Sequence, residues 1–324
     1  MIATALERLA SAGIAFAPRG EQPIDDPPPG GDVDILLAAP DAAAAERVLQ
    51  AAGFPRFDVV GHDGHRFHLA FDSERARWLK IDVNVIPRRL RWDLRARDHE
   101  SLRRFARFRS RRGSRVRVAI ERRLPLALAR RGTVIAVLGP DGAGKSSVLA
   151  RLRAEIPVAV TIVYMGNGAA AAPKRPRAGG VLRAAAQWLP EGPRIAQFRL
   201  RRTLYAAWRV WRAHAYAWRG DIVLCDRHPL EALALDPEAS GLSGRLGRLI
   251  PWPDEIVILD APGTVLFARK GEHSPERLEQ WRWAYRRAFA PHGASIVSTA
   301  SDMTTSVAAV SAIVWRGLKA RRGW

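Results

Sequence analysis

The sequence predicts an α/β chain with a three-layer fold around a parallel sheet in residues 132–324, preceded by a smaller α/β unit. Three observations lead there. The apolar run Val134-Ile135-Ala136-Val137-Leu138 passes directly into a glycine loop, and the loop passes into a segment, 147–155, with apolar residues at helical spacing. Downstream, short apolar runs alternate with amphipathic stretches, as strands do when helices carry the chain to a parallel neighbour. More than a hundred residues precede the first of these strands, enough for a domain of their own.

Residues 1–100 contain a helical pattern over 3–12, a strand over 14–17, and a Pro/Gly/Asp-rich loop over 20–31. A clear strand follows over 33–38. Asp41 is then expected to cap a helix over 42–52 that stops at Gly53, and strands follow over 67–71 and 79–85. Residues 101–131 are crowded with arginine and read as an interdomain region. In the second unit, strands are expected over 134–138, 158–164, 222–225, 255–259 and 295–298. The helices between and after them are expected over 147–155, 196–219, 263–269, 275–289 and 304–318. Residues 169–193, rich in Ala, Gly and Pro, read as a mobile segment over the mouth of a site.

Composition bounds the function classes. A single cysteine, Cys225, excludes an internal disulfide framework and suits a reducing cytoplasm. The N-terminus lacks the pattern of a signal peptide, and no apolar run reaches the length of a membrane span. The formal charge of +20 invites a nucleic-acid reading, but of the 52 basic residues only five are lysine, a skew that codon bias in a GC-rich genome explains. Polyphosphate ligands also favour cationic clefts. A nucleic-acid binder would instead lose affinity steeply with salt.

The glycine loop carries the strongest chemistry. Gly139-Pro140-Asp141-Gly142-Ala143-Gly144-Lys145-Ser146-Ser147 is a complete phosphate-binding P-loop between a strand and a helix. Its glycines let backbone N–H groups close around phosphate oxygens, and the helix N-terminus adds partial positive charge. Lys145 is expected to reach the β- and γ-phosphates of a nucleoside triphosphate, and Ser146 to ligate Mg²⁺. Two later strands end in an acid, Ile222–Cys225 with Asp226 and Ile256–Leu259 with Asp260. Ligands bind at the carboxyl ends of such strands. Asp226 is the better candidate for metal or acceptor because Arg227 beside it can grip an anion.

The loop, Asp226-Arg227-His228 and the segment Leu266-Phe267-Ala268-Arg269-Lys270-Gly271-Glu272 together resemble thymidylate kinase and its P-loop relatives, over residues 133–324. The resemblance implies an ATP- and Mg²⁺-dependent phosphotransferase in which Asp226 and Arg227 face acceptor and metal. It also implies a lid of Arg269, Lys270 and Arg277 closing over the donor phosphates. The acceptor would be a small molecule bearing a phosphate or a hydroxyl, a nucleoside monophosphate being the family's kind, and a homodimer is compatible. Two stretches depart from the family. Pro229-Leu230-Glu231-Ala232 stands in place of a serine and an Ala-Tyr-Gln stretch, and Tyr164-Met165-Gly166-Asn167-Gly168 in place of an acidic or Glu-Pro loop. The acceptor is therefore open. The reading from another class is an NTP-driven switch or regulatory ATPase whose N-terminal domain binds a partner.

In the first unit, Asp32 and Asp34 alternate onto one side of a strand, and Asp82 lies in another strand that can neighbour it. Three such carboxylates suit divalent ions. The set resembles the nucleotidyltransferase superfamily related to polymerase beta over about residues 10–95, although Arg19-Gly20-Glu21 departs from the Gly-Ser or Gly-Gly pair expected before the first acid. A retained fold without catalysis is the other reading. His62, His65 and His68 with Asp63 lack the spacing of a metal site on a strand. In Tyr205 to Arg219 the rings of Tyr205, Trp208, Trp211 and Trp218 are expected to be the inner face of a helix.

Overall fold

The computed structural model describes residues 1–18, 32–57, 65–86, 132–166, 191–235 and 250–324. Arg19-Gly20-Glu21, His62, Asp63, the arginine-rich region 101–131 and all but the last three residues of the segment 169–193 lie outside them.

Helix α1 (Ile2–Ser11) buries Ile2, Ala5, Leu6 and Leu9, one face of a helix at three- and four-residue spacing. It packs with α2 (Ala42–Ala51) on one face of a five-stranded mixed sheet ordered β1-β2-β5-β4-β3. The strands are β1 (Phe16–Pro18), β2 (Asp32–Ala38), β3 (Arg56–Phe57), β4 (His65–Asp72) and β5 (Arg77–Ile86). Alternation along β2 sends Val33, Ile35 and Leu37 into that core and leaves Asp32 and Asp34 on the opposite face. Strands β2 and β5 run parallel with Asp34 opposite Asp82. Asp41 makes no side-chain cap to α2; a turn of 3₁₀ helix, Ala39–Asp41, leads into the helix instead and leaves Asp41 in a helical conformation. A capping residue needs an extended backbone for its carboxylate to reach back to the first-turn amides.

The second sheet is wholly parallel, ordered β10-β9-β6-β8-β7, from β6 (Thr133–Leu138), β7 (Val160–Tyr164), β8 (Ile222–Asp226), β9 (Glu255–Asp260) and β10 (Ser295–Ser298). Every residue of β6 and β8 is buried, as strands covered on both faces require. Helices α3 (Lys145–Glu155) and α8 (Met303–Arg322) cover one face through Val148, Leu149, Leu152, Val307, Val310 and Val314. The other face is covered by α4 (Glu191–Trp218) and α7 (Pro275–Phe289). Between these lie the short α5 (Ala232–Leu235) and α6 (Gly263–Lys270). Central β6 lies between β8 and β9, so the chain order reverses around it and a crevice opens at the carboxyl ends of these strands.

Helix α4 corrects one expectation. Among its described side chains, from residue 204 on, the buried ones are Arg209, Val210, Ala213, His214 and Ala217, whereas Trp208 and Trp211 are about half exposed (51% and 48%). Alanines let the helix axis approach Val134, Val163, Val223 and Cys225 closely, and indoles on that face would hold it off the sheet. The outward rings engage one another and the arginines: Tyr205 stacks on Trp208 at 5.7 Å between centroids, with Arg212 4.7 Å over Trp208. The helix also begins earlier than expected, at Glu191.

The two sheets share a seam. The second face of the N-terminal sheet presents Phe57, Phe67, Phe71 and Trp78, and these belong to one apolar cluster with Val310, Val314 and Leu318 of α8. Trp78 meets Trp315 edge-on at 5.9 Å, and Arg322 lies 4.2 Å over the Phe57 ring while donating to the Arg56 carbonyl at 3.3 Å.

Candidate functional site

At the carboxyl end of β6 the chain turns through three glycines with positive φ, Gly139, Gly142 and Gly144. Two of them have no room for a side chain: a Cβ on Gly139 would lie 2.4 Å from the Leu259 carbonyl oxygen, and one on Gly142 2.5 Å from that of Leu266. Helix α3 starts at Gly144 with no side-chain cap, so its first-turn N–H groups are offered to whatever fills the crevice. That crevice is a cleft of about 630 Å³ lined by residues 141–148, by Tyr164, Asp226 and Arg227, by Arg269 and Lys270, and by Thr299, Ser301, Met303 and Ser306.

Lys145 is buried, and its ammonium donates to the loop's own carbonyls, Gly139 O at 2.7 Å and Pro140 O at 2.8 Å. Burial and the nearby Arg227 charge lower its pKa to about 8. Ser146 Oγ lies 3.1 Å from Asp226 Oδ2, which joins the end of the loop to the tip of β8. The register puts Asp226 beside Val137 of β6 and Tyr164 of β7. Arg227, next along, holds φ at +68°, and its Nη2 is 2.5 Å from Asp141 Oδ1. Burial works to raise the Asp141 carboxyl, but Arg227, Lys145 and Lys270 outweigh it and hold it below the usual range. His228 turns inward: its Nδ1 accepts from the Leu230 amide at 3.3 Å, and its Nε2 is buried with no partner among the described residues. Burial pushes its pKa down to about 3. Cys225, also buried, has its thiol pushed up by loss of solvent.

The basic residues after β9 divide. Arg269 lines the cleft and donates to the Thr299 carbonyl at 2.6 Å. Lys270 lines it too, 2.9 Å from Glu272 and 3.6 Å from Asp141. Arg277 does not line it; its guanidinium lies over the Trp281 ring at 5.2 Å, and its backbone N–H is capped by Ser274. Asp260, the rival strand-tip acid, is engaged by Arg282 at 2.7 and 3.0 Å and by Arg286 at 2.7 Å. Two guanidiniums on one carboxylate leave little for a metal and anchor α7 to the sheet instead.

Several cleft residues, and a pair beside Arg227 that does not line the cleft, escaped the sequence reading. Tyr164 and Thr299 follow from the strand-tip rule applied to β7 and β10 as it was to β8. Glu231 and Tyr285 do not. The Tyr285 hydroxyl hydrogen-bonds the largely buried Glu231 carboxylate, which lies 3.5 Å from Arg227 Nη1, across a sequence separation that no local pattern signals.

Do these residues suit a nucleoside triphosphate with Mg²⁺? The glycine cradle, the uncapped α3 N-terminus and the convergence of Lys145, Arg227, Arg269 and Lys270 suit a polyanion. The Ser146 hydroxyl beside the Asp226 carboxylate is an all-oxygen donor set of the kind Mg²⁺ takes. Asp141, Glu272 and His273 also bring ligand atoms within 4.8 Å of one another, but Lys270 already supplies positive charge there.

On the N-terminal sheet, carboxylate oxygens of Asp32, Asp34 and Asp82 lie within 4.8 Å of one another. Each has a neighbour: Lys80 is 2.8 Å from Asp32, His65 Nδ1 2.9 Å from Asp82, and Asn84 donates to Asp34 at 3.4 Å. The donor set suits a hard divalent ion, which would compete with Lys80 and His65. His68 does not join: its Nδ1 faces the Phe54 carbonyl at 2.9 Å in the core, and burial lowers its pKa.

No family model matches the chain, and a search of curated proteins finds no match. Among solved structures, thymidylate kinase from Ehrlichia chaffeensis is similar to it at 15% sequence identity, over 56% of this chain and 98% of that one, with a TM-score of 0.36. So distant a likeness transfers nothing to this chain. Among the described residues, no helix is long and apolar enough to cross a membrane.

Proposed function

We propose that the second sheet carries an ATP- and Mg²⁺-dependent phosphotransferase of the nucleotide-kinase type, acting on a small acceptor. The observation that supports this most is the 3.1 Å approach of Ser146 to Asp226, which joins the phosphate loop to the tip of β8 within a cleft ringed by four cations. Lys145 and the amides of the loop hold donor phosphates; Ser146 and Asp226 hold the metal. When bound, Mg²⁺ neutralises charge on the phosphate oxygens and orients them for in-line displacement. Arg269 and Lys270 offset charge that spreads over the transferred group, and their approach over the cleft excludes water. Arg227 and Asp141 face the acceptor.

Lys145→Ala and Ser146→Ala are expected to lower turnover by about 10²-fold or more while the fold persists, because the lost groups act on phosphate and metal. Circular dichroism with a labelled-ATP assay checks this, and wild-type turnover in Lys145→Ala would sink the proposal.

For the first sheet we propose a nucleotidyltransferase-like domain whose three acids take a divalent ion. In the full-length protein, Mg²⁺ or Mn²⁺ should raise the melting temperature through that site, and Asp34→Asn should remove its share of the rise without weakening ATP binding. An identical metal response in Asp34→Asn would leave the acids a structural cluster tied by Lys80 and His65.

A second reading, an NTP-driven switch, gains support from α8. Its first turns line the cleft through Met303 and Ser306, and its last turns pack on the N-terminal sheet. Steady ATP hydrolysis with no acceptor labelled would favour it.

A further inference from the structure

The basic group at the tip of β8 is neutralised from two sides. Arg227 Nη2 is 2.5 Å from Asp141 Oδ1, and Nη1 is 3.5 Å from Glu231 Oε2. Glu231 is itself fixed by the hydroxyl of buried Tyr285. Lys270, the next cation, is 2.9 Å from Glu272 and shares Asp141. Lys145 is turned back onto the loop carbonyls. Setting aside Lys145, which is bonded to the loop carbonyls although its charge also acts on Asp141 and Glu231, two cations thus face three carboxylates at this end of the cleft. Burial raises the Glu231 carboxyl against the pull of Arg227 and Lys145. Even with Glu231 neutral, Asp141 cancels Arg227 and Glu272 cancels Lys270.

A phosphate monoester brings close to two negative charges at neutral pH. To be gripped by Arg227 it would have to displace Asp141 or Glu231, and a carboxylate largely shielded from water and stripped of its counter-ion is costly. A hydroxyl asks the reverse: it has a proton to donate and needs an acceptor. Asp141 supplies one, since it lines the cleft and its Oδ2 has only His273 at 4.0 Å among the ion pairs of the described residues.

We propose that the acceptor is an uncharged hydroxyl compound and not a phosphate monoester, with Asp141 accepting the hydroxyl's hydrogen bond and Glu231 holding Arg227 as its counter-ion. This rests on the phosphotransferase reading. The hydroxyl oxygen forms a bond to the terminal phosphorus of ATP as the bond from that phosphorus to the bridging oxygen breaks. The electron pair leaves with ADP, and the hydroxyl proton passes to Asp141 Oδ2 and on to solvent. Glu231 acts through Arg227 and is a positioning residue.

The test uses the full-length protein with its donor site saturated by a non-hydrolysable ATP analogue and Mg²⁺. Phenyl phosphate, titrated calorimetrically, should bind Glu231→Gln at least tenfold more tightly than wild type, and adding Arg227→Ala should abolish the gain. Equal affinities, or tighter binding to wild type, overturn the proposal. A measurement on wild type alone stands even where the variant fails to fold. Thymidine 5′-monophosphate and adenosine 5′-monophosphate should bind no more tightly than thymidine and adenosine, and tighter binding of either monophosphate overturns the proposal. Failure of the ATP analogue to bind at all would instead overturn the phosphotransferase reading, so the two failures are distinct.

Discussion

His228 follows the cleft arginine into the core as a neutral imidazole, its Nδ1 accepting from Leu230 and its other nitrogen buried. Its pKa falls from 6.5 to about 3, so between those values the unfolded chain binds a proton that the folded chain refuses. Stability is therefore unaffected above pH 6.5 and falls as pH drops below it, at up to about 1.4 kcal/mol per pH unit for this group. In His228→Gln, the loss of stability between pH 7 and 5 should shrink by ~2 kcal/mol, read from urea midpoints. A variant with an undiminished loss would place the acid-sensitive group elsewhere, buried His68 being the next to examine. At this scale the sequence is legible where function sits in contiguous residues. The loop 139–147 and Asp226-Arg227 carry their geometry in their own spacing, since a glycine turn and a strand tip are local objects. The Glu231–Tyr285 pair is not legible, because only the packing of α7 against the residues after β8 brings it together.

Among elements, periodicity locates strands and helices to within a few residues, yet it assigns the faces of α4 wrongly. Apolar spacing cannot rank alanine against tryptophan, and the sheet does so by distance. Ala213 and Ala217 sit against Val134, Val163 and Val223, so the small side chains set the closeness of approach. Ala213→Leu should accordingly cost about 1–3 kcal/mol through overpacking. Trp211→Ala, on the outward face, should stay within about 0.5 kcal/mol despite removing the larger group. Chemical denaturation of the two variants separates these, and the reverse ranking would mean that the indoles are the packed face. Asp41 shows the same limit for a short motif. The residue type and its position before the helix read as a cap, but a preceding 3₁₀ turn sets its backbone and only the folded chain reveals that.

For the whole molecule, the sequence reads as separate domains on either side of an arginine-rich stretch, while the apolar core runs from one sheet into the other through α8. Trp78, 3% exposed, is part of that join. Trp78→Ala is expected to cost ~3–5 kcal/mol, as loss of a buried indole does, and to split one cooperative unfolding transition into two. Calorimetry of the full chain decides, and a single unshifted transition would mean that the sheets do not depend on each other. The indoles of the seam also give the protein a built-in optical reporter. Trp78 and Trp315 lie 5.9 Å apart and Trp315 and Trp324 5.5 Å, with the first pair nearly perpendicular at 88° and the second inclined at 45°. Transition dipoles that close and so inclined exchange excitation, and their absorption bands split into a pair of opposite ellipticity. The Trp78–Trp315 share of that signal reports the junction: it should vanish when the N-terminal sheet lets go of α8 and survive any rearrangement in which that contact holds, while pairs outside the seam such as Trp211–Trp218 keep their own contribution, so the unlabelled protein signals in ultraviolet light whether its first sheet still holds α8.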